Sequence, residues 1–86
     1  MRNMAPLKML AKALNNKVLV KLKDGSEYVG ILYRYDNTMN VVLIDAVEIS
    51  GGRVDPPVAK FGKIMIRGSN VLYIALDFDQ VSKGET

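Results

Sequence analysis

A chain of 86 residues supports one hydrophobic core and no second one. It has no cysteine and no histidine, which removes disulfides, thiolate and imidazole metal sites, and the side chains that most often act as nucleophile and acid–base catalyst. The expectation is a non-enzyme with neither metal nor cofactor. The net charge of +3 is unevenly spread: residues 1–23 hold six basic residues and no acid, and the remainder holds six basic against nine acidic. A basic end on a mildly acidic body suits a polyanionic partner met on one side, although each lysine reads equally well as ordinary solvated surface.

In chain order, Met1-Arg2-Asn3-Met4 leads into no signal-peptide core, and no apolar run approaches the length of a membrane span. A cytoplasmic protein with no membrane partner is expected. A helix is predicted over about residues 5–14. Pro6 suits its first turn, where a missing N–H costs nothing. Leu7, Leu10 and Leu14, with Ala11 beside them, form an apolar stripe that would lid an open barrel mouth, while Lys8 and Lys12 share another face. Asn15-Asn16 supplies the stop, because Asn tolerates the left-handed conformation that ends helices.

From Lys17 the apolar period becomes two, with Val18, Val20 and Leu22 alternating with Leu19, Lys21 and Lys23. Asp24-Gly25 signals a hairpin whose two turn residues both tolerate positive φ. A long return strand from about Ser26 to Tyr35 contains Gly30, the mark of a bend where a small sheet curls on itself. The run Tyr35-Asp36-Asn37-Thr38-Met39-Asn40 then opens onto a third strand from about Asn40 to Ser50. Gly51 to Pro57 reads as an exposed loop. Two further strands are expected near Lys60–Arg67 and Val71–Asp77, joined through Gly68-Ser69-Asn70, and Gln80–Thr86 reads as a polar tail.

One helix and five short antiparallel strands fit a strongly bent, barrel-like sheet, either SH3-like or OB-like on composition alone. The last two strands are apolar on both faces, a pattern of strands buried on both sides. A domain this small cannot cover them itself, so their edges invite pairing with another chain.

Two polar loops thus sit at the mouths of apolar strands. Asn40 carries an amide able to read a base edge. Arg67 carries a planar cation that stacks on a base or forks onto phosphate. Asp36 is placed to tie its loop together through backbone hydrogen bonds. Taken singly, Asn40 and Asp36 are ordinary turn residues, and Arg67 is as able to pin a subunit interface against an acid. Tyr28, Tyr33, Tyr35 and Tyr73 look like a stacking set, yet aromatics on strands are usually packing residues. Tyr35, beside the loop, is the candidate for nucleic-acid contact, and Met39 is read as a gap filler.

At these residues the chain closely resembles the Sm and Sm-like (LSm) proteins, most of all the archaeal Sm-like type. The first family motif is matched from Val18 to Ala46, including Leu22, Asp24-Gly25, Gly30, Asp36 and Met39-Asn40. The second is matched by Ile66-Arg67-Gly68 and the apolar strand that follows. The resemblance selects the Sm fold, an SH3-like open barrel, as a single domain over residues 1–86 with its sheet at about 17–77. It implies a homo-oligomeric ring, commonly of seven, joined edge to edge through the last two strands. Such a ring holds uridine-rich single-stranded RNA at its pore in RNA processing or turnover, with a paralogue or RNA-processing proteins as further partners. The alternative is the same ring serving as a protein-interaction scaffold.

The resemblance also assigns residues. A base would lie between Thr38 and Arg67, Asn40 would read the uracil edge, and Ser69 would bond to the base or orient Asn40. Asp36, Met39, Gly68 and Asn70 would support the pore loops; apart from the resemblance, Tyr35 beside the loop and Lys8 on the outward face of the helix are candidates for secondary RNA contact. Thr38 departs from the aromatic or imidazole side chain often found at its position. Base–aromatic stacking is worth about 1–3 kcal/mol per base, so weaker binding per nucleotide is expected. Ser69 likewise stands where some archaeal relatives carry an acid.

Overall fold

A computed structural model describes residues 5–76. Arg2, Asp77 and the predicted polar tail lie outside the described residues. Helix α1 spans Ala5–Ala13, and the strands are β1 Lys17–Leu22, β2 Glu27–Tyr35, β3 Val41–Ile49, β4 Ala59–Ile66 and β5 Val71–Ala75. All pair antiparallel in one five-stranded sheet of order β4-β3-β2-β1-β5. The expected architecture, a helix and a strongly bent sheet in an SH3-like open barrel, is the one observed.

Helix α1 ends one residue early, and Asn15 takes the left-handed conformation at φ 69° as its residue type allows. The Asn15 N–H bonds to the Leu32 carbonyl at 2.7 Å, which fixes the helix to β2. Leu10 is buried as expected, but the small residue sunk beside it is Ala13, and Ala11 is exposed. The buried stripe is therefore rotated towards the far side of Leu10, because the end of the helix is tied to β2 at Asn15 and Asn16 before the chain enters β1. Lys8 and Lys12 are exposed.

The main core gathers Leu10 and Ala13 with Val18, Val20, Leu32, Val41, Leu43, Ala46 and Ile66. A second cluster, Leu19, Val29 and Ile49, lies apart from it. Strand β1 thus buries successive residues 18–20 in two different clusters, which is possible because the sheet curls around both. The curl originates at Gly30. A Cβ there would stand 3.1 Å from the Cα and Cβ of Ala46 and from the Ile44 carbonyl oxygen. The register passes from Val29 against Val47 to Ile31 against Ile44, so Asp45 and Ala46 together face Gly30. Asp45 takes a positive φ of 51° in this bulge, and bulges sharpen local twist.

The hairpin between β1 and β2 forms at Asp24-Gly25 but not as a two-residue turn. Only Gly25 has positive φ, its N–H bonds to the Leu22 carbonyl, and the Leu22 N–H bonds to the Ser26 carbonyl. This is the three-residue loop built on a type I turn and a left-handed glycine. Asp24 contributes an acceptor to the Ser26 N–H at 2.8 Å, which lowers its carboxyl from the ordinary range. Strands β4 and β5 are the two free edges of the sheet. A one-turn 3-10 helix, Gly68–Asn70, carries the chain from one edge to the other.

Candidate nucleic-acid interface

The loop from Asp36 to Asn40 is organised by one carboxylate. Asp36 Oδ1 accepts from the Thr38 N–H at 2.9 Å, the Thr38 hydroxyl at 2.8 Å and the Asn40 N–H at 3.1 Å. Its Oδ2 accepts from Asn40 Nδ2 at 3.0 Å. The Asp-x-Thr spacing is what allows this, since a carboxyl two residues before a backbone N–H closes an Asx turn. These bonds hold the Asp36 carboxyl below the ordinary carboxylate range, the Asn40 amide contributing most and Thr38 next. They also hold Met39 at φ 68°, a conformation that a non-glycine residue adopts only when its surroundings impose it. The Met39 side chain is half-buried against the main core and anchors the loop tip.

Asn40 is the joint between the two loops. Its Oδ1 accepts the Gly68 N–H at 2.7 Å across 28 residues of sequence. Its Nδ2 also donates to Thr38 Oγ1 at 2.9 Å. Gly68 must be glycine on steric grounds: a Cβ there would fall onto the Thr38 carbonyl oxygen and the Met39 carbonyl carbon. Its backbone lies flat against the other loop because no side chain intervenes.

Arg67 follows β4 with extended backbone and an exposed side chain that makes no hydrogen bond or ion pair among the described residues. Its carbonyl accepts the Asn70 N–H at 2.9 Å, and the Asn70 carbonyl accepts the Lys23 N–H at 2.9 Å, tying this loop to the β1–β2 hairpin. The Ser69 and Asn70 side chains are exposed. Among the described residues Ser69 makes no bond to Asn40; Gly68, Asp36 and Thr38 orient that amide instead. Of the residues expected at the site, Asp36, Thr38, Asn40 and Gly68 are joined by hydrogen bonds, and Arg67 stands exposed just before Gly68; the bond from Asn40 to Thr38 and the main-chain tie from Asn70 to Lys23 had no signal in the sequence.

The tyrosines divide. Tyr28 and Tyr35 are half-buried against the main core, and Tyr28 lies 6.1 Å from the Phe61 ring. Tyr33 is exposed, with the Arg34 guanidinium 5.6 Å and the Lys63 ammonium 5.7 Å from its ring centre. No group of three or more metal-ligating side chains occurs among the described residues, and no described helix is long and apolar enough to cross a membrane.

Residues 8–76 match the model of the LSM domain family. An Sm-like snRNP protein of Thermococcus sibiricus is 50% identical over 70 residues, which cover 81% of this chain and 88% of that protein. The corresponding protein of Methanococcoides burtonii is 44% identical over 70 residues, covering 81% and 93%. Among solved structures, the Pyrococcus abyssi Sm protein in complex with a uridine heptamer superposes with a TM-score of 0.75 at 48% identity, covering 83% of this chain and 96% of that one. A heptameric archaeal Sm protein superposes with a TM-score of 0.70 at 40% identity, covering 80% and 96%. The motifs in the two loops, the bent sheet and these likenesses agree: the chain belongs to the Sm-like (LSm) family.

Proposed function

We propose that this chain, one Sm-like domain over residues 1–86, assembles with copies of itself through β4 and β5 into a heptameric ring. The ring binds uridine-rich single-stranded RNA at its pore loops and acts, without catalysis, in cytoplasmic RNA processing or turnover. The observation that carries the reading is the Asn40–Gly68 hydrogen bond, which fuses two distant loops into one pocket wall with the Arg67 cation exposed beside it. A guanidinium plane offers a stacking surface for a base, and an amide offers edge contacts. Single-stranded RNA presents both of its bases' faces and edges, whereas a duplex hides them. The P. abyssi protein bound to a uridine heptamer and the heptameric relative support the ligand and the assembly.

One such pocket without an aromatic wall is weak. A ring multiplies it, because each nucleotide bound raises the effective concentration of the next at the adjoining pocket. The test is binding of labelled oligouridine, oligocytidine and oligoadenine at two salt concentrations, with the particle mass measured with and without RNA. Oligouridine binds tighter than the others at both salts. A steep salt slope with no base preference means phosphate contact alone and returns the molecule to the scaffold reading.

A further inference from the structure

We propose that the Thr38 hydroxyl determines specificity in the pocket by competing with the base for one amide hydrogen of Asn40, and so weakens the preference for uracil. This rests on the RNA-binding reading above. A primary amide has two hydrogens and one oxygen with two lone pairs. Asn40 Nδ2 gives one hydrogen to Asp36 Oδ2 at 3.0 Å and the other to Thr38 Oγ1 at 2.9 Å. Asn40 Oδ1 accepts the Gly68 N–H at 2.7 Å. A backbone N–H only donates, so the orientation of the amide is fixed by its partner. One lone pair on Oδ1 is all that Asn40 has left.

Thr38 is equally committed. Its hydroxyl hydrogen goes to Asp36 Oδ1 at 2.8 Å, which leaves the oxygen to accept from Asn40. The carboxylate only accepts, so the chain from Asn40 through Thr38 to Asp36 runs in one direction, and each bond polarises the next.

Uracil presents N3–H and O4 side by side. An amide offering an acceptor and a donor engages both. In the same pose cytosine presents an acceptor where uracil has N3–H and a donor where uracil has O4, and both contacts fail. With Nδ2 occupied, the pocket offers a lone pair only. That lone pair accepts uracil N3–H directly and the cytosine amino group only after the base shifts, so the preference for uracil narrows without vanishing. To read O4, Asn40 has to release Thr38, and one neutral hydrogen bond corresponds to about a threefold to tenfold change in binding.

Thr38→Val keeps the shape and removes the hydroxyl. The Thr38 and Asn40 backbone N–H groups and one Nδ2 hydrogen still have Asp36, so the loop persists. The expected result is a rise of about threefold to tenfold in the ratio of oligouridine to oligocytidine affinity at equal length. Thr38→Ala moves it in the same direction, and Thr38→Ser, which restores the hydroxyl, returns the original ratio. In the RNA-free protein, one Asn40 Nδ2 proton resonance loses its hydrogen-bonded shift in the Val and Ala variants and not in Ser. An unchanged Asn40 amide spectrum in Thr38→Val overturns the proposal, because the competing bond is then absent. So does a ratio that fails to rise in both hydroxyl-free variants. If Asn40→Ala abolishes uridine preference while those variants leave the ratio unchanged, the competition is wrong and the RNA reading stands. If neither the original protein nor Thr38→Val binds oligouridine, both fall together.

Discussion

Gly68 shows how much of the pocket depends on a missing atom. Its backbone conformation is ordinary; what it requires is contact between its own backbone and that of Thr38 and Met39. Gly68→Ala is expected to cost about 1–3 kcal/mol in unfolding free energy, the usual penalty of overpacking. It should also shift the Asn40 amide resonances. Val54→Ala is the control, since that side chain is exposed in the loop after β3, away from both loops and both edge strands. Equal midpoints for the two variants in denaturant would show that the loops do not touch. Asp36 adds a pH dependence. Its carboxyl is depressed by Asn40 and then Thr38, so it favours the ordered loop throughout the range above the ordinary carboxylate value. That contribution disappears as the pH falls through the depressed value. Titration should therefore move the Asn40 side-chain amide signals at lower pH than an unperturbed carboxyl would, with the far-ultraviolet circular dichroism of the sheet unchanged. An Asp36 midpoint at the ordinary carboxylate value would refute the relay.

The edge strands carry the next prediction. Met65 on β4 is 68% exposed, and Leu72 and Tyr73 on β5 are 57% and 49% exposed. These apolar groups belong to unpaired edges, which natural proteins rarely leave open. A head-to-tail pairing of β4 with β5 of the next copy closes both edges at once. Leu72→Asp places an unpaired charge in each contact at a cost of several kcal/mol and should reduce the particle to single chains at micromolar concentration by light scattering. Val54→Asp, at an exposed position in the loop after β3, should leave the mass unchanged. A full-sized Leu72→Asp particle would exclude β5 from the contact. Much of this was legible beforehand: apolar residues on both faces of the last strands need no coordinates to look unpartnered. The hairpin type was not legible, because Asp24-Gly25 serves two-residue and three-residue turns equally well. Nor was the choice of Ala13 over Ala11, which depends on where the helix lands on β2 and not on its own periodicity.

Across the whole molecule, the sheet is one ribbon wound so that its first and last strands by spatial order stay apart. The bend at Gly30 and the bulge at Asp45 let β3 serve both ends of the ribbon, and Val41 at one end of β3 is core while Asn40 just before it is pocket. The candidate pocket residues stood out in the sequence because each is a special type at the mouth of an apolar run. Their mutual hydrogen bonds were not, since the Asn40–Thr38 contact depends on a left-handed Met39 that no propensity favours. The Asn40–Gly68 bond has a practical consequence. The Gly68 amide is held by a side chain and not by a neighbouring strand, so its exchange with deuterated solvent reports the opening of the pocket and not the unzipping of the sheet. One backbone proton thus serves as a built-in gauge of pocket closure, readable before any ligand is added and again after it.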